Sequence, residues 1–479
     1  MRASAIGQRE GFGLTPAERD RLEAHVRRAV RRARRRGEGL AGITIPLDRG
    51  VDPAAVIAAS RLPGEAWFAL EQPDADAFAL AALGCVRPIE GSGAGRFGQA
   101  ADAWRSLASE AAADPVDGPR GSGPVAVGGF AFAPHGAAST DWAGFAAASL
   151  HVPEVAIARR GEDVRLTVCV LAHPDDDPNA LADRAASRVQ SLVTAPLPLL
   201  DPSPVEAARV ASAMPPEHYV AAVQRAIEVI REGGLEKIVL AREVLVHAGA
   251  PHDAAAVLGV LREAFPGCFV FAVGRGDKAF VAASLELLVR REGQRASTLA
   301  LAGTTRRSAD PAVDDHLGEQ LLRSAKDRGE QAIVVRRIEQ TLRPHAVWVA
   351  AADDPVVVKM ANVQHLATPI RAQLRHPIGA VQLAGALHPT PAVGGEPFDV
   401  AQPLIPALEG FDRGWYAGPV GWTDVHEDGE FCVALRCALL DGRDARCYAG
   451  VGVVADSDPQ AELAETEAKL GALLPVLSA

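Results

Sequence analysis

The 479-residue chain contains no run of about 18 or more apolar residues, so no membrane-spanning helix is expected. Its N-terminus shows no basic segment followed by an apolar run and a small-residue cleavage site, so no secretory signal is read there. Net positive charge is missing too. Lys and Arg number 49 against 60 Asp and Glu, a formal net charge of −11. A nucleic-acid partner is therefore not expected, because such binding needs basic surface to displace counterions. The six cysteines include no Cys-x-x-Cys pair. Most lie in apolar surroundings such as Cys268-Phe269-Val270-Phe271, the setting of reduced, buried thiols, and the expected compartment is the cytoplasm. Also absent are a Gly-x-Gly-x-x-Gly in a βαβ setting, a Walker loop, a Gly-x-Ser-x-Gly elbow and zinc-ligand spacings. Common nucleotide, hydrolase and zinc chemistries are thereby set aside.

What is present is ordinary globular material, with 48% hydrophobic and 23% charged residues. The length suits about two or three domains or one large unit. Residues 14–36 read as a helix, with Thr15 as N-cap and Pro16 at its first position. The Arg-rich run from Arg27 to Arg36 is expected to be a solvated basic face of that helix. Strand-like runs follow at 42–45, 67–70, 125–132 and 164–170, with a helix near 97–113. The Pro- and Ala-rich stretch 195–216 is the best boundary, dividing an N-terminal half of the fold (1–205) from a C-terminal catalytic core (213–475), the two being expected to form one structural unit.

Beyond it, a helix over 217–232 ends at Gly233-Gly234, followed by a strand over 236–247 and a helix over 252–265. A hairpin pairs 269–273 with 279–283 around Gly274–Asp277. One long helix is expected over about 315–343, and strands near 356–360, 416–422, 430–439 and 446–454. A last helix starts at Asp458-Pro459 and runs to about 474. Clustered strands with helices between them suggest packed sheets covered by helices.

Several side chains could carry chemistry. Glu462, Glu465 and Lys469 stand at i, i+3 and i+7 on one helix face, and two carboxylates so spaced can hold a hard cation such as magnesium. Taken alone, the same spacing is the commonplace of a solvated Glu–Lys face. Asp327 and Glu330 repeat the i, i+3 relation. Lys237 opens an aliphatic strand, where desolvation would lower its pKa and let it act as a base; a strand-end lysine reaching solvent is the plainer alternative. Glu286 lies among apolar residues, a setting that raises a carboxyl pKa and suits a general acid. The Gly303–Arg307 segment reads as a turn able to present amides to an anion.

Taken in order, these segments resemble the chorismate-utilising enzymes: isochorismate, salicylate, anthranilate and aminodeoxychorismate synthases. The matching blocks are Glu-Lys-Ile-Val-Leu-Ala-Arg (236–242), Leu-Ala-Gly-Thr-Thr-Arg-Arg (301–307), Lys-Asp-Arg-Gly-Glu-Gln (326–331) and Asn-Val-Gln-His-Leu-Ala-Thr-Pro (362–369). They continue through 387–395, 413–422, 433–436, 448–454 and Glu-Leu-Ala-Glu-Thr-Glu-Ala-Lys-Leu (462–470). The resemblance implies an α/β (α+β) chorismate-binding fold, two large β-sheets packed face to face with helices outside. It also implies roles. Lys237 would activate water for attack at C2 of chorismate, and Glu286 would protonate the hydroxyl leaving C4. Glu330, Glu462 and Glu465 would hold Mg2+. Arg436, Tyr416 and backbone near Gly450 would fix the pyruvyl carboxylate, with Lys469 adding charge. Gly303 and Thr304 would line the ring site, with His365 close by.

A lysine at 237 suits water as nucleophile, so isochorismate synthase is the leading expectation and no glutamine amidotransferase partner is expected. Salicylate synthase, which shares the lysine, is the second reading; a catalytically silent chorismate-binding protein is the third. Two segments depart from the family pattern. Gly-Ala-Ser-Pro-Glu is here Ala282-Ala283-Ser284-Leu285-Glu286, and Lys-Asp-Arg-His-Glu-His is Lys326-Asp327-Arg328-Gly329-Glu330-Gln331.

Overall fold

The computed structural model describes residues 11–201, 206–360 and 363–478. Residues 202–205, inside the expected boundary stretch, and Asn362 of the 362–369 block lie outside the described residues.

The alternation of apolar side chains explains the layers. Every residue of the Trp67–Gln72 strand is buried. Phe68 and Leu70 face one core, while Trp67 and Ala69 face another. Phe271 and Val273 repeat the pattern against Val270 and Ala272 on the Phe269–Arg275 strand. A strand with two apolar faces needs cover on both. On one side the cover is helical, with Leu22 and Val26 of Pro16–Arg36 and Val257 and Leu261 of Ala254–Ala264. On the other side lies a second sheet, which contributes Val127, Val420, Trp422 and Phe431.

Among the described residues the strands form sheets of twelve and ten, and the strand pairs in both are antiparallel. The larger sheet mixes both halves of the chain. Trp67–Gln72 from the N-terminal half pairs with Phe269–Arg275, in register from Glu71 opposite Val270 to Trp67 opposite Gly274. The smaller sheet does the same where Val125–Phe130 pairs with Pro419–Asp424. The chorismate-binding architecture of two facing sheets is thus present.

Several expectations change in detail. The long helix over 315–343 is two helices, Pro311–Arg323 and Ala325–Leu342. Ser324 is the break: its backbone is extended and its hydroxyl accepts from the Asp327 N–H, capping the second helix. The Gly303–Arg307 turn is instead part of the Arg295–Arg306 strand, bulged at Gly303, where the register against Val363–Leu374 shifts. The strand over 430–439 is two strands in different sheets, Gly429–Val433 in the smaller and Cys437–Asp441 in the larger. The last helix ends at Leu470, with a short turn of helix at Leu474–Leu477.

Candidate active site

Two places where the chain crosses between the sheets meet at one cavity. Lys278–Ser284 belongs to the larger sheet and Leu287–Glu292 to the smaller, so Glu286 sits on the crossing. Arg436 sits on the crossing between Gly429–Val433 and Cys437–Asp441, with a left-handed backbone (φ 48°). A non-glycine residue in that region is strained, a state that persists where the surroundings over-determine it. Around these two residues lies a cleft of about 890 Å³, open solvent at its mouth included.

The cleft is lined by Glu286, Gly303, Thr304, Glu330, His365, Tyr416, Arg436, Gly450, Glu462, Glu465 and Lys469. Every site residue expected from sequence is there except Lys237, which stands one layer behind. Lys237 is not a strand-end lysine in solvent: it is 1% exposed, and its Nζ lies 2.7 Å from Glu330 Oε1. Gly452 makes room for this pair, since a Cβ there would press on the Glu330 carboxylate and lie 2.8 Å from Lys237 Cε.

Glu286 is buried, and burial pushes its carboxyl up to about 7, against the opposing pull of the Lys237 ammonium. Its Oε1 accepts from the Thr390 hydroxyl at 3.4 Å. Arg436 donates through Nη2 to His365 Nε2 at 3.1 Å, while its Nε is buried without a partner among the described residues. A buried guanidinium with a free donor is suited to an incoming carboxylate. Burial, reinforced by the charges of Arg436 and Lys469, holds His365 well below the ordinary imidazole pKa, so its ring is neutral. The Tyr416 hydroxyl is pushed up by burial.

The carboxylate wall is built by two helix faces. Glu462, Glu465 and Lys469 come from Pro459–Leu470, which Asp458 caps by accepting from Ala461 N–H. Asp327 and Glu330 come from the first two turns of Ala325–Leu342. Each expected metal ligand has its own lysine: Glu330 with Lys237, Glu462 with Lys326 at 3.1 Å, and Glu465 with Lys469 at 2.7 Å. Lys469 also donates to Gly450 O at 2.9 Å. Burial raises the Glu462 carboxyl, and the neighbouring Glu465 charge adds to the rise. At Glu465 burial acts the same way, but Lys469 and the Thr304 hydroxyl outweigh it and the net shift is downward. Among the described residues no three His, Cys, Asp or Glu side chains converge tightly enough to form a metal cage. The donor chemistry nonetheless fits a hard cation, with oxygen ligands only and crowded carboxylates that repel one another.

Sequence reasoning missed the support behind the cleft. Arg413 and Glu409 form a fully buried ion pair. The Lys237–His247 strand is paired with Gly395–Glu396 only at Lys237 and Ile238. Beyond that point the ion pair takes over, Arg413 donating to Val239 O at 2.9 Å and Glu409 accepting from Ala241 N–H at 2.7 Å. Arg413 lies inside the 413–422 block and Thr390 inside 387–395, so both could have been singled out; nothing in the sequence marks Glu409.

A two-sheet fold with a cleft of carboxylates and cations at its sheet crossings accords with the class: the chain belongs to the chorismate binding enzyme family, which matches residues 25–478. Its relatives narrow the comparison. It is 40% identical over 410 residues to the salicylate biosynthesis isochorismate synthase of Pseudomonas aeruginosa, covering 85% of this chain and 84% of that one. It is 34% identical over 355 residues to the isochorismate synthase MenF of Bacillus subtilis, covering 74% and 75%. Among solved structures, MenF, the menaquinone-specific isochorismate synthase from Escherichia coli, aligns with a TM-score of 0.78 at 28% identity, over 95% of this chain and all of that one.

Proposed function

We propose that this chain is an isochorismate synthase, converting chorismate reversibly to isochorismate. The observation that carries the reading is the pairing of a buried lysine, Lys237, with a buried carboxyl, Glu286, whose pKa near 7 keeps it available as an acid. Lys237, as the neutral amine left once its ammonium has released a proton to solvent, takes a proton from water as the water oxygen bonds to C2 of the ring. The ring double bonds shift, and Glu286 gives its proton to the C4 hydroxyl as that leaves as water. One water enters and one departs, so the product is an isomer of the substrate.

Arg436, with a free buried Nε–H, receives the pyruvyl carboxylate, and the Tyr416 hydroxyl and the backbone near Gly450 border the same corner. Thr304 and Gly303 line the ring's side of the cleft with His365. Glu330, Glu462 and Glu465 would hold Mg2+, which when bound supplies positive charge for the ring carboxylate. All six cysteines are free, which supports a reducing compartment, the cytoplasm.

The test is incubation of the full chain with chorismate and magnesium, with products separated by chromatography. Isochorismate is expected. Salicylate with pyruvate would show a salicylate synthase instead, and tight chorismate binding without turnover would show a silent binding protein.

A further inference from the structure

The hydrogen bonds around His365 run in one direction only. A guanidinium has donors and no acceptor, so His365 Nε2, 3.1 Å from Arg436 Nη2, must accept. A neutral imidazole carries one ring proton, which therefore sits on Nδ1. Nδ1 lies 3.1 Å from Thr304 Oγ1 and 3.3 Å from Gly303 O, and both can accept it. Accepting from Nδ1, the Thr304 hydroxyl is left to donate its own proton, and Glu465 is its neighbour on the other side. Each donor and acceptor in the series is thereby fixed by its neighbour.

We propose that His365 is a positioning residue, locked as the Nδ1–H tautomer, that links Arg436 through Thr304 to Glu465 and aims the guanidinium into the cleft. It takes no proton during the reaction, because both ring nitrogens are committed. Its neutrality has the same origin as its place, a buried ring beside two cations. The bulge at Gly303 serves this chain of bonds. It shifts the register so that Thr304, not Gly303, stands opposite His365 on the neighbouring strand. Holding Nη2 in this way leaves the buried Nε–H of Arg436 as the donor for a ligand oxygen.

The proposal rests on the chorismate reading only in taking a carboxylate as what Arg436 meets. Two measurements on the full chain test it. The first compares His365→Ala with His365→Gln, whose amide oxygen restores an acceptor for Arg436 but cannot shuttle protons. Loss of the acceptor in His365→Ala is expected to raise KM for chorismate about tenfold or more, with kcat within a few-fold, and His365→Gln is expected to recover most of that KM. A kcat about 100-fold lower in both variants, with KM unchanged, would mark His365 as an acid or base and overturn the proposal. The second measurement reads the ring directly by nitrogen NMR of labelled histidine, using the signal that His365→Gln lacks. A neutral Nδ1–H ring near pH 7 is expected; an Nε2–H or doubly protonated ring would refute the locked tautomer. If the wild-type chain fails to turn over chorismate, the proposed function falls, while the tautomer still reports on the hydrogen-bond chain.

Discussion

Lys237 shows why single residues were hard to weigh from sequence. At the head of a strand a lysine usually reaches solvent, whereas here Lys237 is buried and meets Glu330 of a covering helix. Lys237→Ala is expected to lower turnover about 10²–10⁴-fold with the fold retained by circular dichroism; near-normal turnover would exclude it as the base. Glu286 lies among apolar residues in sequence and is buried in the structure, as that setting led one to expect. With its pKa raised to about 7, the acid is protonated below that pH and ionises above it. The isochorismate-forming rate is therefore expected to fall as pH rises through about 7, and Glu286→Gln to be slow with that limb gone; an unchanged pH profile in the variant would exclude Glu286 as the acid. Glu465→Gln leaves Lys469 without its ionic partner and takes one anionic oxygen from the wall. The magnesium concentration for half-maximal activity is expected to rise, and an identical titration would remove Glu465 from the ligand set. Thr390, which meets the acid, gave no chemical signal of its own; a buried threonine is indistinguishable in sequence from any other.

At the level of elements, hydrophobic periodicity served well wherever a segment stays in one layer. The helices Pro16–Arg36 and Pro216–Glu232 and the hairpin of Phe269–Arg275 with Lys278–Ser284 fall where the pattern put them. It failed where the chain changes layers or bends within one. The run from Phe431 to Leu439 is apolar except for Arg436, and nothing in its alternation shows that Leu435 and Arg436 lie between two sheets. A glycine in a bulge reads like a glycine in a turn, which is why Gly303 was misplaced. Its φ of +71° and the 3.0 Å from an added Cβ to Asp327 Cβ both favour glycine. Gly303→Ala is expected to cost about 1–2 kcal/mol from the backbone alone, measured by chemical denaturation. An unchanged midpoint would mean that the bulge relaxes without cost.

For the whole molecule, the boundary stretch at 195–216 separates segments in sequence that the sheets then join. Composition reports a linker but carries no record of which strands will pair across it, because antiparallel partners can be far apart along the chain. Trp67–Gln72 and Phe269–Arg275 are such partners, joined through the centre of the larger sheet. Residues 1–205 and 213–479 expressed separately would each expose a buried apolar strand edge, so both pieces are expected to aggregate. A soluble 213–479 piece that turns over chorismate would show the C-terminal part to be self-sufficient.

Glu286 and Arg436 both stand where the chain passes from one sheet to the other, and neither belongs to a loop that could loosen alone. Their separation is held by backbone bonds between the two crossings, Ala283 N–H to Arg436 O at 3.1 Å and Val433 N–H to Glu286 O at 2.9 Å. Partial melting of an outer helix would leave that pair in place while removing part of the carboxylate wall, whereas parting of the paired crossing strands would pull Glu286 from Arg436. Loss of that pair and collapse of the central core are therefore expected as one event, while activity is open to earlier loss through the two helices that carry Glu330, Glu462 and Glu465.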